Sequence, residues 1–167
     1  MFCAPLKVAC LGAGYFSRFH YDAWRRLRDV ELVGSADLCL DKAASTGLPA
    51  FTDLASMLGS VDIDVLDIIT KPPTHLEAIR QAVDAGIKLI ICQKPLCNSL
   101  EEVRTVMELI EGSDARLVVH ENFRFQPWYR CMAKAVQDGL VGQVHQFTFR
   151  LRPGDGQGAD AYLDRQP

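Results

Sequence analysis

The sequence predicts an α/β protein whose parallel sheet is covered by helices on both faces, and three observations carry that expectation. Strand-like and helix-like segments alternate along most of the 167 residues. Most strand-like segments are continuous apolar runs without a period of two, the pattern of strands buried on both sides. The helix-like segments carry a single apolar stripe and are bounded by capping residues.

Taken in order, residues 6–11 are a short apolar run that ends in glycines, which suits a central parallel strand. Residues 15–28 read as a helix and 30–36 as a second strand. Gly47-Leu48-Pro49 is a breaker, after which Thr52 and Asp53 can cap a short helix ending at Leu58. Residues 65–69 form a clear strand. Thr74-His75-Leu76-Glu77 and Ser99-Leu100-Glu101-Glu102 both have capping-box form and open two helices. Leu76, Ile79 and Val83 share one face of the first, and Leu100, Val103, Met107 and Ile110 one face of the second. Gly86 and Gly112 stand where left-handed C-caps are expected. Strands over 88–92 and 116–119 complete the alternation.

The pattern changes near residue 120. Residues 127–138 read as one more helix, closed by Gly139. From His145 to Arg152, Phe147, Phe149 and Leu151 alternate with Thr148, Arg150 and Arg152, as in a half-exposed strand of an antiparallel sheet. No partner strand follows it in the sequence. The Gly-, Asp- and Gln-rich tail from Pro153 to Pro167 lacks periodicity and is expected to be loop or disorder.

The net charge is −3, without a basic block, which argues against nucleic acid or an anionic membrane as an electrostatic partner. No apolar stretch reaches the length of a membrane span. The apolar N-terminus is interrupted by Lys7 and lacks a basic leader, so it reads as a first strand rather than a secretion signal. Six cysteines are scattered without a Cys-x-x-Cys pair or a nearby His at ligand spacing. They are expected to be reduced, mostly buried small hydrophobes of a cytoplasmic protein, with no metal site.

Leu11-Gly12-Ala13-Gly14-Tyr15-Phe16-Ser17 lies between strand and helix, where the pyrophosphate-binding turn of a Rossmann-type domain belongs. The first glycine makes the tight turn, and the second lets the backbone approach a pyrophosphate at the positive helix end. Ser17 replaces the usual third glycine. Such a turn alone is also an ordinary strand-to-helix connection. Asp37 strengthens it, because it ends the second strand roughly 20 residues on, where a carboxylate can accept bonds from both ribose hydroxyls. Its charge would repel a 2′-phosphate and no Arg directly follows it, so NAD is expected over NADP.

From Leu6 through Arg150 the chain resembles the glucose–fructose oxidoreductase / inositol dehydrogenase (Gfo/Idh/MocA) family. The resemblance rests on Gly12-Ala13-Gly14 followed by His20, then Asp37, then Thr70-Lys71-Pro72-Pro73-Thr74-His75. It continues through Gln93-Lys94-Pro95, Asn122-Phe123-Arg124-Phe125-x-Pro127 and Gly142-Gln143-Val144. It implies that Thr70, Pro72 and His75 line the cofactor's path, and that Lys94 reaches the substrate oxygen beside the nicotinamide and helps proton movement. Asn122 and Trp128 would lie near the nicotinamide and the substrate. Arg124 is either functional or a structural ion-pair residue. The cofactor-binding candidates are thus Gly12, Ala13, Gly14, Tyr15, Phe16, Asp37, Thr70, Pro72, His75, Gln93 and Asn122, and the catalytic candidate is Lys94.

Two departures qualify the resemblance. The family usually has Glu where Gln93 stands, which alters the charge beside Lys94. Its members also continue into a second α/β domain that supplies an Asp-x-x-x-His pair, and no such pattern follows Gly142 here. His145 reads as a surface residue.

The expected organisation is a dinucleotide-binding domain over residues 1–121 and the start of a substrate and dimerisation domain over 122–167. The chain is then the cofactor-binding part of an NAD-dependent oxidoreductase acting on a secondary hydroxyl of a sugar or cyclitol. It is expected to be inactive alone and able to self-associate through its orphan strand. A non-catalytic dinucleotide-binding regulator is the alternative, and a doubly wound domain that binds no dinucleotide is a third reading.

Overall fold

The structure is a computed structural model, and it describes residues 4–150. Six strands form one sheet: β1 (Leu6–Leu11), β2 (Val30–Ala36), β3 (Ala50–Phe51), β4 (Val65–Ile68), β5 (Leu89–Gln93) and β6 (Arg116–His120). Their spatial order is β3-β2-β1-β4-β5-β6 and every pairing is parallel. This is the order of the dinucleotide-binding Rossmann sheet. Helices α1 (Ser17–Arg25), α2 (Leu40–Ala44), α3 (Leu54–Leu58), α4 (His75–Asp84) and α5 (Leu100–Glu111) connect the strands.

The apolar runs are explained by two cores. On one face Ala9, Leu66, Ile68, Ile90 and Cys92 pack with Leu54 and Met57 of α3, Ala78, Ile79 and Ala82 of α4, and Val106 of α5. On the other, Val8, Cys10 and Val65 pack with Tyr21 of α1, joined by Trp24 and Ile91. Successive strand residues therefore feed opposite faces, and both sets are apolar. Gly34 keeps β2 close to α3, because a Cβ there would lie 3.1 Å from Met57 Sδ.

Several local expectations change. The first helix spans Ser17–Arg25 rather than 15–28, since Tyr15 and Phe16 are used by the turn. The capping box forms at α5, where Ser99 Oγ accepts from the Glu102 N–H at 3.2 Å. It does not form at α4. A 3₁₀ turn over Pro72–Thr74 runs directly into that helix, and the Thr74 hydroxyl instead donates to the Lys71 carbonyl at 2.9 Å. Gly86 has the expected positive φ of 78°, whereas Gly112 caps α5 with φ −81° and needs no glycine conformation.

The chain divides into two compact units, Met1–Asn122 and Phe123–Pro167. A 3₁₀ turn over Asn122–Phe125 starts on the last residue of the first unit, and in the second α6 (Pro127–Gln137) is closed by Gly139 with φ 72°. Tyr129 stacks near Phe149 at 5.9 Å between ring centroids. The strand expected from His145 is absent over residues 145–150, because no neighbouring strand among the described residues offers it a ladder. Leu151, Arg152 and the tail expected to be loop lie outside the described residues. Among the described residues no helix is long and apolar enough to cross a membrane, and no cluster of His, Cys, Asp and Glu could hold a metal.

Candidate functional site: a dinucleotide crevice

The carboxyl ends of the strands gather most of the candidates along one edge. Connections leave β1 and β4 on opposite faces of the sheet, so a crevice opens between their ends, where dinucleotides bind in this architecture. Across that edge come Asp37 after β2, Gly12–Gly14 after β1, Thr70 after β4, Gln93 and Lys94 at β5, and Asn122 after β6.

The glycine turn is built for close approach. Gly12 has φ +111°, and a Cβ on it would sit 3.1 Å from the Ile69 carbonyl carbon. Its N–H donates to the Ala36 carbonyl at 2.7 Å, tying the turn to β2. Gly14 is exposed, and a Cβ there would meet nothing within 4 Å, which leaves room for a phosphate. Ser17, at the third-glycine position, is buried and its hydroxyl donates to the Gly14 carbonyl at 2.6 Å. The small side chain fits the helix–strand contact and also holds the turn closed.

Asp37 has two tasks. Its Oδ2 accepts from the Ala13 N–H at 2.8 Å and its Oδ1 from the Cys39 N–H at 2.9 Å. Each carboxylate oxygen keeps a further lone pair for a ribose hydroxyl. Ala13 is thereby anchored from its backbone, while Tyr15 and Phe16 remain exposed at the start of α1. Buried Tyr21 supports the turn from below, with its hydroxyl 2.7 Å from Ser35 Oγ.

At β4, the Thr70 and Thr74 hydroxyls are 2.7 Å apart, and Pro72 is half-buried in the 3₁₀ turn. His75 does not line the crevice surface, which corrects the expectation for it. It is fully buried, with Nε2 2.9 Å from the Thr70 carbonyl and Nδ1 3.0 Å from the Leu96 carbonyl. An imidazole inserted between two main-chain segments braces both loops instead of presenting itself to a ligand.

Gln93 and Lys94 diverge at the end of β5. Lys94 is exposed and precedes a cis bond to Pro95. Gln93 turns inward and is 8% exposed. Its Oε1 accepts from the Lys94 N–H at 2.8 Å, while its Nε2 lies 3.0 Å from His20 Nε2 and 3.3 Å from His120 Nδ1. His20 Nδ1 is 2.8 Å from Asp67 Oδ2, which also accepts from Trp24 Nε1–H at 2.7 Å. Burial, aided by the neighbouring His20, holds the pKa of His120 below the ordinary imidazole value. A cavity of about 510 Å³ beside this cluster is lined by Phe16, His20, Trp24, Asp67, His120 and Asn122. Arg124 and Trp128 belong to the other unit.

Sequence reasoning missed Asp67, Trp24 and Tyr21. Asp67 was visible as the one acid inside the apolar run of β4, and an acid that is 1% exposed requires partners.

The comparisons with known proteins agree with this geometry. Residues 6–121 match the model of the GFO_IDH_MocA oxidoreductase family, NAD-binding Rossmann fold. The chain belongs to the Gfo/Idh/MocA family. Among its relatives is a D-apiose dehydrogenase of Paraburkholderia graminis, 35% identical over 141 residues, which are 81% of this chain and 37% of that protein. An inositol 2-dehydrogenase of Rhizobium meliloti is 30% identical over 96% of this chain and 49% of its own length. The chain thus spans less than half the length of these Gfo/Idh/MocA relatives. Among solved structures, an oxidoreductase of Agrobacterium radiobacter in complex with NAD⁺, L-tartaric acid and magnesium matches 84% of this chain and 42% of its own. Its TM-score is 0.79 at 26% identity. A putative myo-inositol dehydrogenase of Sinorhizobium meliloti matches 83% and 43%, with a TM-score of 0.76 at 30% identity.

Proposed function

We propose that this chain is the cofactor-binding part of an NAD-dependent dehydrogenase that takes hydride from a secondary hydroxyl of a sugar or cyclitol. The observation that carries the proposal is the strand order. It sets Lys94 at the end of β5 on the edge that holds the glycine turn, with only β4 between them. The named relatives act on apiose and inositol, which motivates the substrate class.

In this reading Gly12, Ala13 and Gly14 hold the pyrophosphate, with Tyr15 and Phe16 beside it, and Asp37 accepts from the adenosine ribose and disfavours a 2′-phosphate. Thr70, Pro72 and Asn122 border the path toward the nicotinamide end. His75 and Gln93 act from behind it, bracing the loops. The bound nicotinamide supplies the hydride acceptor. Lys94 directs its side-chain nitrogen at the substrate hydroxyl, and its neutral amine would accept the hydroxyl proton as hydride leaves the carbon and the carbonyl forms. Residues 1–121 act as the cofactor domain and 122–167 as the start of a substrate domain.

One observation favours a second reading, a dinucleotide-binding regulator. Gln93 offers an amide beside Lys94 that cannot take up or release a proton. Two measurements decide. NADH fluorescence titration of this chain is expected to saturate, and no binding at millimolar NADH would overturn the cofactor assignment. In a form extended by the second domain, Lys94→Ala is expected to abolish polyol-dependent NAD reduction. NADH binding with no reduction on any polyol would select the regulator.

A further inference from the structure

The cluster behind Lys94 can be resolved atom by atom from the Lys94 N–H inward as far as Asp67 Oδ2, while Asp67 Oδ1 is buried without a partner. A backbone N–H can only donate, so the Lys94 N–H at 2.8 Å identifies the inner Gln93 atom as the amide oxygen. The amide NH₂ must then face the two imidazoles, 3.0 Å from His20 Nε2 and 3.3 Å from His120 Nδ1. Its two hydrogens serve one ring nitrogen each, so both nitrogens accept and carry no proton. His20 therefore keeps its proton on Nδ1 and donates it to Asp67 Oδ2 at 2.8 Å, beside the Trp24 indole donor at 2.7 Å. A proton on His20 Nε2 would point at an amide NH₂ across 3.0 Å, a donor facing a donor, on a residue that is 6% exposed. The remaining faces of His20 meet the Phe16 ring just before α1 and the edge of His120 on β6.

We infer that Gln93 is a positioning residue with two separable actions: its oxygen holds the Lys94 backbone, and its nitrogen locks His20 as the Nδ1–H tautomer. An amide passes no proton, so the Asp67–His20 pair orients Lys94 without exchanging protons with it. A Glu at this position would keep the first action and reverse the second, since a carboxylate can accept from Lys94 but cannot donate to His20. The consequence for catalysis rests on the role proposed for Lys94, whereas the hydrogen-bond arrangement does not.

The test uses this chain, without substrate or cofactor, with ¹⁵N-labelled histidine at about pH 8, where free imidazole is neutral. His20 is expected to show a protonated Nδ1 and a bare Nε2, against the mixed tautomers of exposed His145. Gln93→Glu is expected to protonate Nε2 of His20 while the Lys94 amide keeps its protection from hydrogen exchange. Gln93→Met is expected to speed exchange at that amide about fivefold to tenfold, the size of one lost hydrogen bond. A protonated Nε2 in the unsubstituted chain overturns the inference. So does unchanged Lys94 exchange in Gln93→Met, and should Gln93→Glu fail to fold, these two measurements still decide. Failure of the Lys94→Ala assay with these spectra intact would count against the dehydrogenase alone.

Discussion

At the scale of single residues, position in the fold sets which side chains are chemically available. Cys39 and Cys131 are exposed, whereas Cys10 and Cys92 are buried among apolar neighbours. Burial pushes the Cys92 thiol up to about 12 and that of Cys10 higher still. Brief iodoacetamide treatment is expected to label Cys39 and Cys131 and to spare Cys10 and Cys92 until denaturant is added, as read by mass spectrometry. Asp37 is the residue whose charge would carry the NAD preference proposed above. In the proposed role, replacing it with Ala would remove acceptors for two ribose hydroxyls, worth about 1.5–3 kcal/mol each when the acceptor is charged. NADH binding is then expected to weaken at least about tenfold in a fluorescence titration. Because Asp37 also holds the Ala13 N–H, part of that loss reflects a looser turn. Asp37→Arg should shift preference toward NADPH if the charge, rather than the turn, decides.

Single elements depend on their ends. Ser99 receives the Glu102 N–H, and Glu102 Oε2 accepts from the Asn98 N–H at 2.9 Å, so one orphan donor of α5 and the donor just before its cap are both satisfied. Ser99→Ala is expected to cost about 1 kcal/mol in urea denaturation. Gly12 matters more, since its φ and the approach of Ile69 both exclude a side chain. Gly12→Ala is expected to destabilise by about 1–3 kcal/mol, from backbone strain and displacement of the loop after β4. The contrast between α4 and α5 shows the limit of local motifs. Both segments spell a capping box, but Pro72 and Pro73 drive a 3₁₀ turn that occupies the Thr74 hydroxyl before it can cap.

For the Rossmann unit as a whole, stability rests on the sheet's two apolar faces and on a polar cluster whose protonation must be right. Ile79 is fully buried in the larger core, and Ile79→Ala should lower unfolding free energy by about 2–5 kcal/mol. His120 links stability to pH. Its folded pKa lies below the ordinary 6.5, so below that value the unfolded chain binds more protons than the folded one. Stability is therefore complete above about pH 6.5 and declines as pH falls through the window between the unfolded and folded values. Denaturation midpoints measured from pH 8 downward should show this fall, and a His120→Asn variant should flatten it.

The sequence by itself determined the alternation of strands and helices, the glycine turn and the acid that follows it, because those depend on periodicity and on local backbone demands. Gly12 was legible because a strand-to-helix turn needs a positive φ, and Asp37 because strand length spaces it from the turn. Tertiary structure alone decided what joins residues remote in sequence. It brought Trp24, Asp67, His20, Gln93 and His120 together from α1, β4, β5 and β6, since the order of strands in a sheet is not written in any one segment. It moved His75 from the crevice surface into the interior, where two carbonyls claim its ring. It also left residues 145–150 without a strand, because a strand exists only where a neighbour completes its hydrogen bonds.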